Sequence, residues 1–350
     1  MRLHRSIIHA LLLLAVLLVG PSTSFAVDLS INVRLAQQTS AKAVTFRLGN
    51  VVKTVAAEDA LQPTTLNATG LTAGYYTFFT TLGNFLFYLH DNGEFVCDDA
   101  RLAIEGNDIV ILNSLSTDVL VKTRKLTGMA DVSVAVYSNT TVGGVFLDKF
   151  LLTPEQALAG TTIPFIGVLD GQDIRLNTSF GFLAFGLDEN GDPVERTSAV
   201  PYSIEGNTIV IENTVDIDLT VATAKSTSIS PFRMRLSASE IFGAYVLPED
   251  TYTSEKLLAG VTVPLLGMVP GHDFYIYTPF GIVNFGIDED GQLRDNSSSV
   301  PIELSGNRVE VQNTVDTTLK FKLFKETTFQ GFSYVLSTNE AYTGLLGQEY

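Results

Sequence analysis

Three acidic turns hold the residue types best suited to chemistry. Asp188-Glu189-Asn190-Gly191 is matched by Asp288-Glu289-Asp290-Gly291 and by His90-Asp91-Asn92-Gly93. Each sets oxygen donors at alternate positions ahead of a glycine. A hard cation needs several carboxylates and carbonyls converging within one turn, so Asp188, Asn190, Asp288 and Asp290 are candidate ligands, and Ca²⁺ is the cofactor they would take. The same residues suit a tight hairpin, because Asn-Gly and Asp-Gly supply the positive φ its central positions require. No glutamate follows at the distance an EF-hand needs, and His90 stands where a ligand should be. The turns therefore read as ordinary hairpins before they read as metal sites.

Catalytic groups are sparse. Beyond the first residues only His90 and His272 remain, at non-equivalent positions, with His272 aligning with Gln172. No G-x-S-x-G, H-E-x-x-H or glycine-rich phosphate loop is present, so no catalytic residue is assigned. Acids are abundant, which keeps a hydrolase using dispersed carboxylates as an alternative. Tyr275-Ile276-Tyr277 places two tyrosines on one strand face, where they could stack on a sugar, although the chain has no Trp. The other aromatic runs, Phe180-Gly181-Phe182, Phe280-Gly281-Ile282 and Phe85-Leu86-Phe87-Tyr88, read as core.

These residues must be positioned by strands. Ile104-Glu105-Gly106-Asn107 returns as Ile204-Glu205-Gly206-Asn207 and as Leu304-Ser305-Gly306-Asn307, with Asn113, Asn213 and Asn313 opening the next turn. Repetition at this spacing predicts tandem domains. Short β-branched runs between turn signals predict an all-β fold of three antiparallel β-sandwich or small-barrel repeats. The stretch from Ile204 to Ala222 reads as a three-stranded antiparallel meander. One short helix is expected in each unit: Thr153 caps it, Pro154 starts it and Gly160 ends it, with Thr253, Ser254 and Gly260 in the same places and Glu58 to Leu61 in repeat one. Pro164 with Gly167, and Pro264 with Gly267, mark a bulge where the chain re-enters the sheet.

The bounds so read are a signal peptide at 1–26, repeats at 27–125, 126–225 and 226–326, and a tail at 327–350. The tail carries a fourth copy of the first strand, since Phe332, Leu336 and Ser337 repeat Phe232, Leu236 and Ser237. Arg2 and Arg5, the apolar run Ile7 to Val19 and the Ser24-Phe25-Ala26 site have the form of a secretory leader cleaved before Val27. Its loss leaves 20 basic against 38 acidic residues, a formal charge of −18. Such a chain repels phosphate backbones, so nucleic acid is excluded as a partner. One cysteine, Cys97, allows no intramolecular disulfide. No transmembrane segment is expected after cleavage.

The functional expectation is a secreted, periplasmic or cell-surface protein without catalytic activity, a surface, matrix or adhesive module. Its partners would be an extracellular or surface protein or a glycan, with self-association through the C-terminal strand. The alternative is a calcium- or glycan-binding module.

Overall fold

The computed structural model describes residues 26–138, 149–238, 245–320, 322, 336–337 and 345–346. The expected leader lies outside them, as do residues 331–335 of the tail strand. The chain is all-β, in four- and five-stranded sheets built to one plan. The chain divides into two compact units: one of residues 1–38 and 43–114, the other of residues 39–42 and 115–350.

In the first unit, Val27–Leu35 pairs antiparallel with Thr64–Leu71 and parallel with Asp108–Ile111, which pairs in turn with Leu102–Glu105. The second sheet runs in the order 51–56, 43–48, 74–80, 84–89, 95–96. Its inner face is a row of buried phenylalanines: Phe46 stacks on Phe78 at 6.3 Å and Phe78 on Phe85 at 6.2 Å. Alternation along the strand 43–48 contributes to this, Val44, Phe46 and Leu48 facing in while Thr45 and Arg47 face out.

The second unit repeats the plan twice. Leu115–Thr123 pairs with Thr161–Val168 and in parallel with Thr208–Ile211; Val215–Thr223 pairs with Val261–Met268 and in parallel with Arg308–Val311. Phe165 of one sheet meets Phe185 of the facing sheet edge-on at 5.9 Å. The helices Pro154–Ala159 and Ser254–Ala259 form where expected, the first with a full Thr153–Gln156 capping box; repeat one has a 3₁₀ turn at Asp59–Leu61. The register slips opposite Gly167 and Gly267, the expected bulges.

Two readings are corrected by the ladders. The meander fails at its third strand: Tyr202–Glu205 and Thr208–Ile211 form the expected hairpin, but Val215–Thr223 leaves for the next sheet. Asn213 stands at the point of departure. Its side chain, read as a turn former, is buried and bonds the Lys125 backbone instead, accepting from the Lys125 amide at 3.0 Å and donating to the Lys125 carbonyl at 2.9 Å. Among the described residues Leu115–Thr123, counted above at the end of repeat one, thus pairs with strands of repeat two, and Val215–Thr223 likewise with strands of repeat three. The tail strand is the second correction. Leu336–Ser337 pairs with Leu345–Leu346, in the register that joins Ser237 to Tyr245, and among the described residues it adds to no sheet of repeat three. It copies an inner hairpin strand of a unit, because the opening strand lies earlier, at Val27, Leu115 and Val215.

Candidate interaction surface

The acidic turns are closed by their own carboxylates. Asp188 Oδ1 accepts from the amides of Asn190 and Asp192, both at 2.9 Å, and Asp288 Oδ1 does the same for Asp290 at 3.0 Å and Gln292 at 2.7 Å. Gly191 and Gly291 have φ of 86° and 79°, the left-handed conformation that glycine tolerates. Of the candidate calcium ligands, Asp188 and Asp288 thus shape hairpins with their side chains, while Asn190 and Asp290 contribute backbone amides and expose their side chains. Among the described residues no three His, Cys, Asp or Glu side chains gather to hold a metal ion.

His272 is buried, its ring bonded to the Ala238 carbonyl and 4.9 Å from the Phe274 ring. Burial pushes its pKa below the usual imidazole value against the raising effect of that carbonyl. The carboxylates whose pKa the structure moves all go down: Asp99 bonded to Arg101, Glu155 to its own amide and Thr153, Glu212 to Arg124, Asp216 to Lys125. A general acid for glycoside cleavage needs the opposite shift.

Tyr275 and Tyr277 share the outer face of the sheet of repeat three, as their spacing predicts, and both are half-buried. The Arg235 guanidinium lies 4.2 Å from the centre of the Tyr277 ring, so that ring face is already covered by a cation. Repeat two has a cation over a ring elsewhere on its sheet, with Arg175 4.3 Å from the centre of the Phe182 ring.

Repeat one keeps such a contact, with Arg47 5.5 Å from the centre of the Phe79 ring, but departs farther along the same face. Strand alternation turns Tyr75, Thr77 and Phe79 outward, opposite Tyr88, Leu86 and Asn84, and Val96 continues the row beyond Tyr88. Tyr75 is 74% exposed and Leu86 59%. The Tyr75 and Tyr88 rings meet edge-on at 5.0 Å, and His90 packs on Tyr88 at 4.9 Å. The positions of Tyr75 and Tyr88 are taken in repeats two and three by the pairs Asp173 with Gly186 and Asp273 with Gly286. There an arginine occupies the space above the glycine: Arg196 donates to Asp173 at 2.9 Å, and a Cβ on Gly186 would stand 2.6 Å from its guanidinium. Arg294 takes that place in repeat three, 3.5 Å from Asp273. An ion pair in two repeats becomes an aromatic pair in the first, Tyr75 exposed and Tyr88 half-buried. Reading Phe85 to Tyr88 as core missed this, although the alternation of the strand carried the signal: Phe85 and Phe87 are buried, Leu86 and Tyr88 face out.

No family model matches the chain, and no curated protein does. Among solved structures, it is similar to the open conformation of the pilus adhesin SpaC from Lactobacillus rhamnosus GG, at 10% identity and a TM-score of 0.20 over 85% of this chain and 44% of that one. It is also similar to the Bacillus anthracis TIE protein, at 12% identity and a TM-score of 0.20 over 82% of this chain and 50% of that one. A C-terminal fragment of SpaC matches 52% of this chain at a TM-score of 0.18 and 10% identity, with 95% of the fragment covered. The chain thus spans half or less of the two longer structures. Superpositions this loose leave its function to its own residues. No helix among the described residues is long and apolar enough to cross a membrane.

Proposed function

We propose that this chain is a secreted, non-catalytic β-repeat protein that acts as a surface or adhesive interaction module, with the outer face of the five-stranded sheet of repeat one as its contact surface. The observation that supports this is the replacement of the Asp-Gly-Arg arrangement by Tyr75 and Tyr88. Solvated ion pairs make a sheet face inert, whereas exposed Tyr75 on half-buried Tyr88, flanked by Leu86 and Val96, forms an apolar patch of the kind that marks binding sites. Thr77 and Asn84 lie on the same face, which favours a glycan as partner, with the rings stacking on sugar C–H groups and the polar side chains bonding hydroxyls. An extracellular protein surface is the other partner class.

The test is a double substitution, Tyr75→Asp with Tyr88→Gly, which gives repeat one the residues of its neighbours. Beads coated with wild type should adhere to immobilised neutral polysaccharides or matrix proteins, and beads coated with the variant should not. Equal adhesion at an unchanged thermal melt would remove this face from the function.

A further inference from the structure

Repeats two and three are joined by a contact with two complementary halves. One half is the turn after the opening strand of repeat two, residues Lys125 to Met129. The other is the bulge of repeat three at Leu266 and Gly267. Gly128 N donates to Leu266 O at 2.7 Å, Asn213 Nδ2 to Gly267 O at 3.0 Å, and Gly267 N to Asp216 Oδ1 at 2.7 Å, while Lys125 pairs with Asp216. The approach is so close that a Cβ on Gly267 would fall 2.3 Å from Leu126 O. The second unit holds another example: Ser40 N donates to Ile166 O at 2.8 Å and Ile166 N to Ser40 Oγ at 3.0 Å.

Each half also occurs unfilled. The turn of repeat three is already shaped: Ile229 N donates to Thr227 Oγ1 at 3.2 Å as Met129 N does to Thr127, and Asn313 bonds the Lys225 amide and carbonyl, both at 2.9 Å. Among the described residues Asn313 makes no counterpart of the third bond of Asn213, and Ser228, the counterpart of Ser40, is exposed. The bulge of repeat one is likewise formed, Gly70 having φ of 69° and its amide capped by Asp28 at 3.0 Å, yet a Cβ there would meet nothing within 4 Å.

We infer that this protein assembles head to tail, the Gly70 bulge of one copy docking on the Ser228 turn of the next through the joint that links repeats two and three. Because the halves differ, the contact does not close on itself, and it builds chains rather than dimers. The inference does not depend on the aromatic face. One element stands in the way. Val315 and Asp316 repeat Val27-Asp28 and Val215-Asp216, and Asp316 pairs with Lys225 at 2.8 Å as Asp216 does with Lys125. An incoming first repeat brings Asp28 to that lysine, so residues 315–320 must be displaced. They are weakly held: Val315 is 86% exposed and Leu319 60%, where the matching Leu219 is fully buried.

Sedimentation of the full mature chain tests this. Wild type should form a concentration-dependent series of oligomers. Gly70→Asn keeps the left-handed turn, which Asn tolerates, but sets a Cβ against the facing backbone. Ser228→Trp fills the turn. Each variant alone should be monomeric, with association weakened at least tenfold, and an equimolar mixture of the two should stop at a dimer, since one intact half survives on each. Asp316→Ala frees Lys225 and should strengthen assembly. A wild type that stays monomeric at 100 μM, a mixture that does not dimerise, or an Asp316→Ala variant that assembles less would each overturn the inference.

Discussion

Asn113, Asn213 and Asn313 are conspicuous in the sequence for their spacing, and the bonds they make explain why that residue recurs. An asparagine side chain offers a carbonyl and an amine in one plane, so it can pair with a backbone amide and a backbone carbonyl as another peptide would. Asn213 does this while fully buried, and spends its second proton on Gly267 of the next repeat. Asn213→Ala should therefore cost about 2–4 kcal/mol, because several backbone groups lose their partner away from water. Asn313→Ala, with two bonds at a half-buried site, should cost about 1 kcal/mol, and urea melts of the two variants decide whether that order holds. Gly206 gives a cleaner test of backbone strain. Its φ is 59° and a Cβ there would touch nothing, so Gly206→Ala should destabilise through strain alone, by about 1 kcal/mol; an unchanged melt would mean the turn relaxes.

At the scale of elements, the joint between repeats two and three depends on a carboxylate. The hydrogen bond from Lys125 and then that from the Gly267 amide hold Asp216 below the usual Asp range. A depressed folded pKa means that the stabilisation is present above the unfolded value of about 3.9 and is lost as pH falls through the folded value. The joint should therefore be intact at neutral pH and loosen only in acid, below about pH 4. Hydrogen exchange at the Gly267 amide, followed from pH 7 to pH 3, should show protection falling in that window in wild type. In Asp216→Asn the pH dependence should be absent. The acidic turns make a separate prediction. With Asp188 and Asp288 each accepting from two backbone amides, chelation with EDTA should leave the melting temperature where it was, and a drop of several degrees restored by Ca²⁺ would make those turns metal sites.

At the largest scale, repeats two and three of the second unit couple through a joint rather than through a linker. No Pro- or Ser-rich spacer separates repeats two and three, and the strand that begins repeat three leaves directly from the Asn213 clasp. Such arrays gain stability from each interface as well as from each unit. Calorimetry should accordingly show repeats two and three melting in one transition, and Gly267→Asn, which blocks the joint with a Cβ while keeping the turn, should split that transition into two. The large negative charge acts at the same scale: chains that repel one another associate slowly in low salt, so assembly should be faster at 0.5 M than at 0.05 M NaCl.

Much of this was legible in the residues themselves. Strand alternation, turn glycines and helix caps act within a few positions, so the all-β class, the Gly106, Gly206 and Gly306 turns, the Thr153 and Thr253 caps and the Gly167 and Gly267 bulges could all be read locally. Three features could not. The parallel pairing of Leu115–Thr123 with Thr208–Ile211 joins segments some ninety residues apart, and nothing nearby in sequence marks it. The fate of Leu86 and Tyr88 depended on which side of the sheet the core lay. The different character of repeat one emerged only when Tyr75 and Tyr88 were seen opposite each other, at the place where Asp173, Gly186 and Arg196 meet in the next repeat. Local rules set the conformation of each segment, while pairing and facing are properties of segments brought together, and those the tertiary structure alone decides.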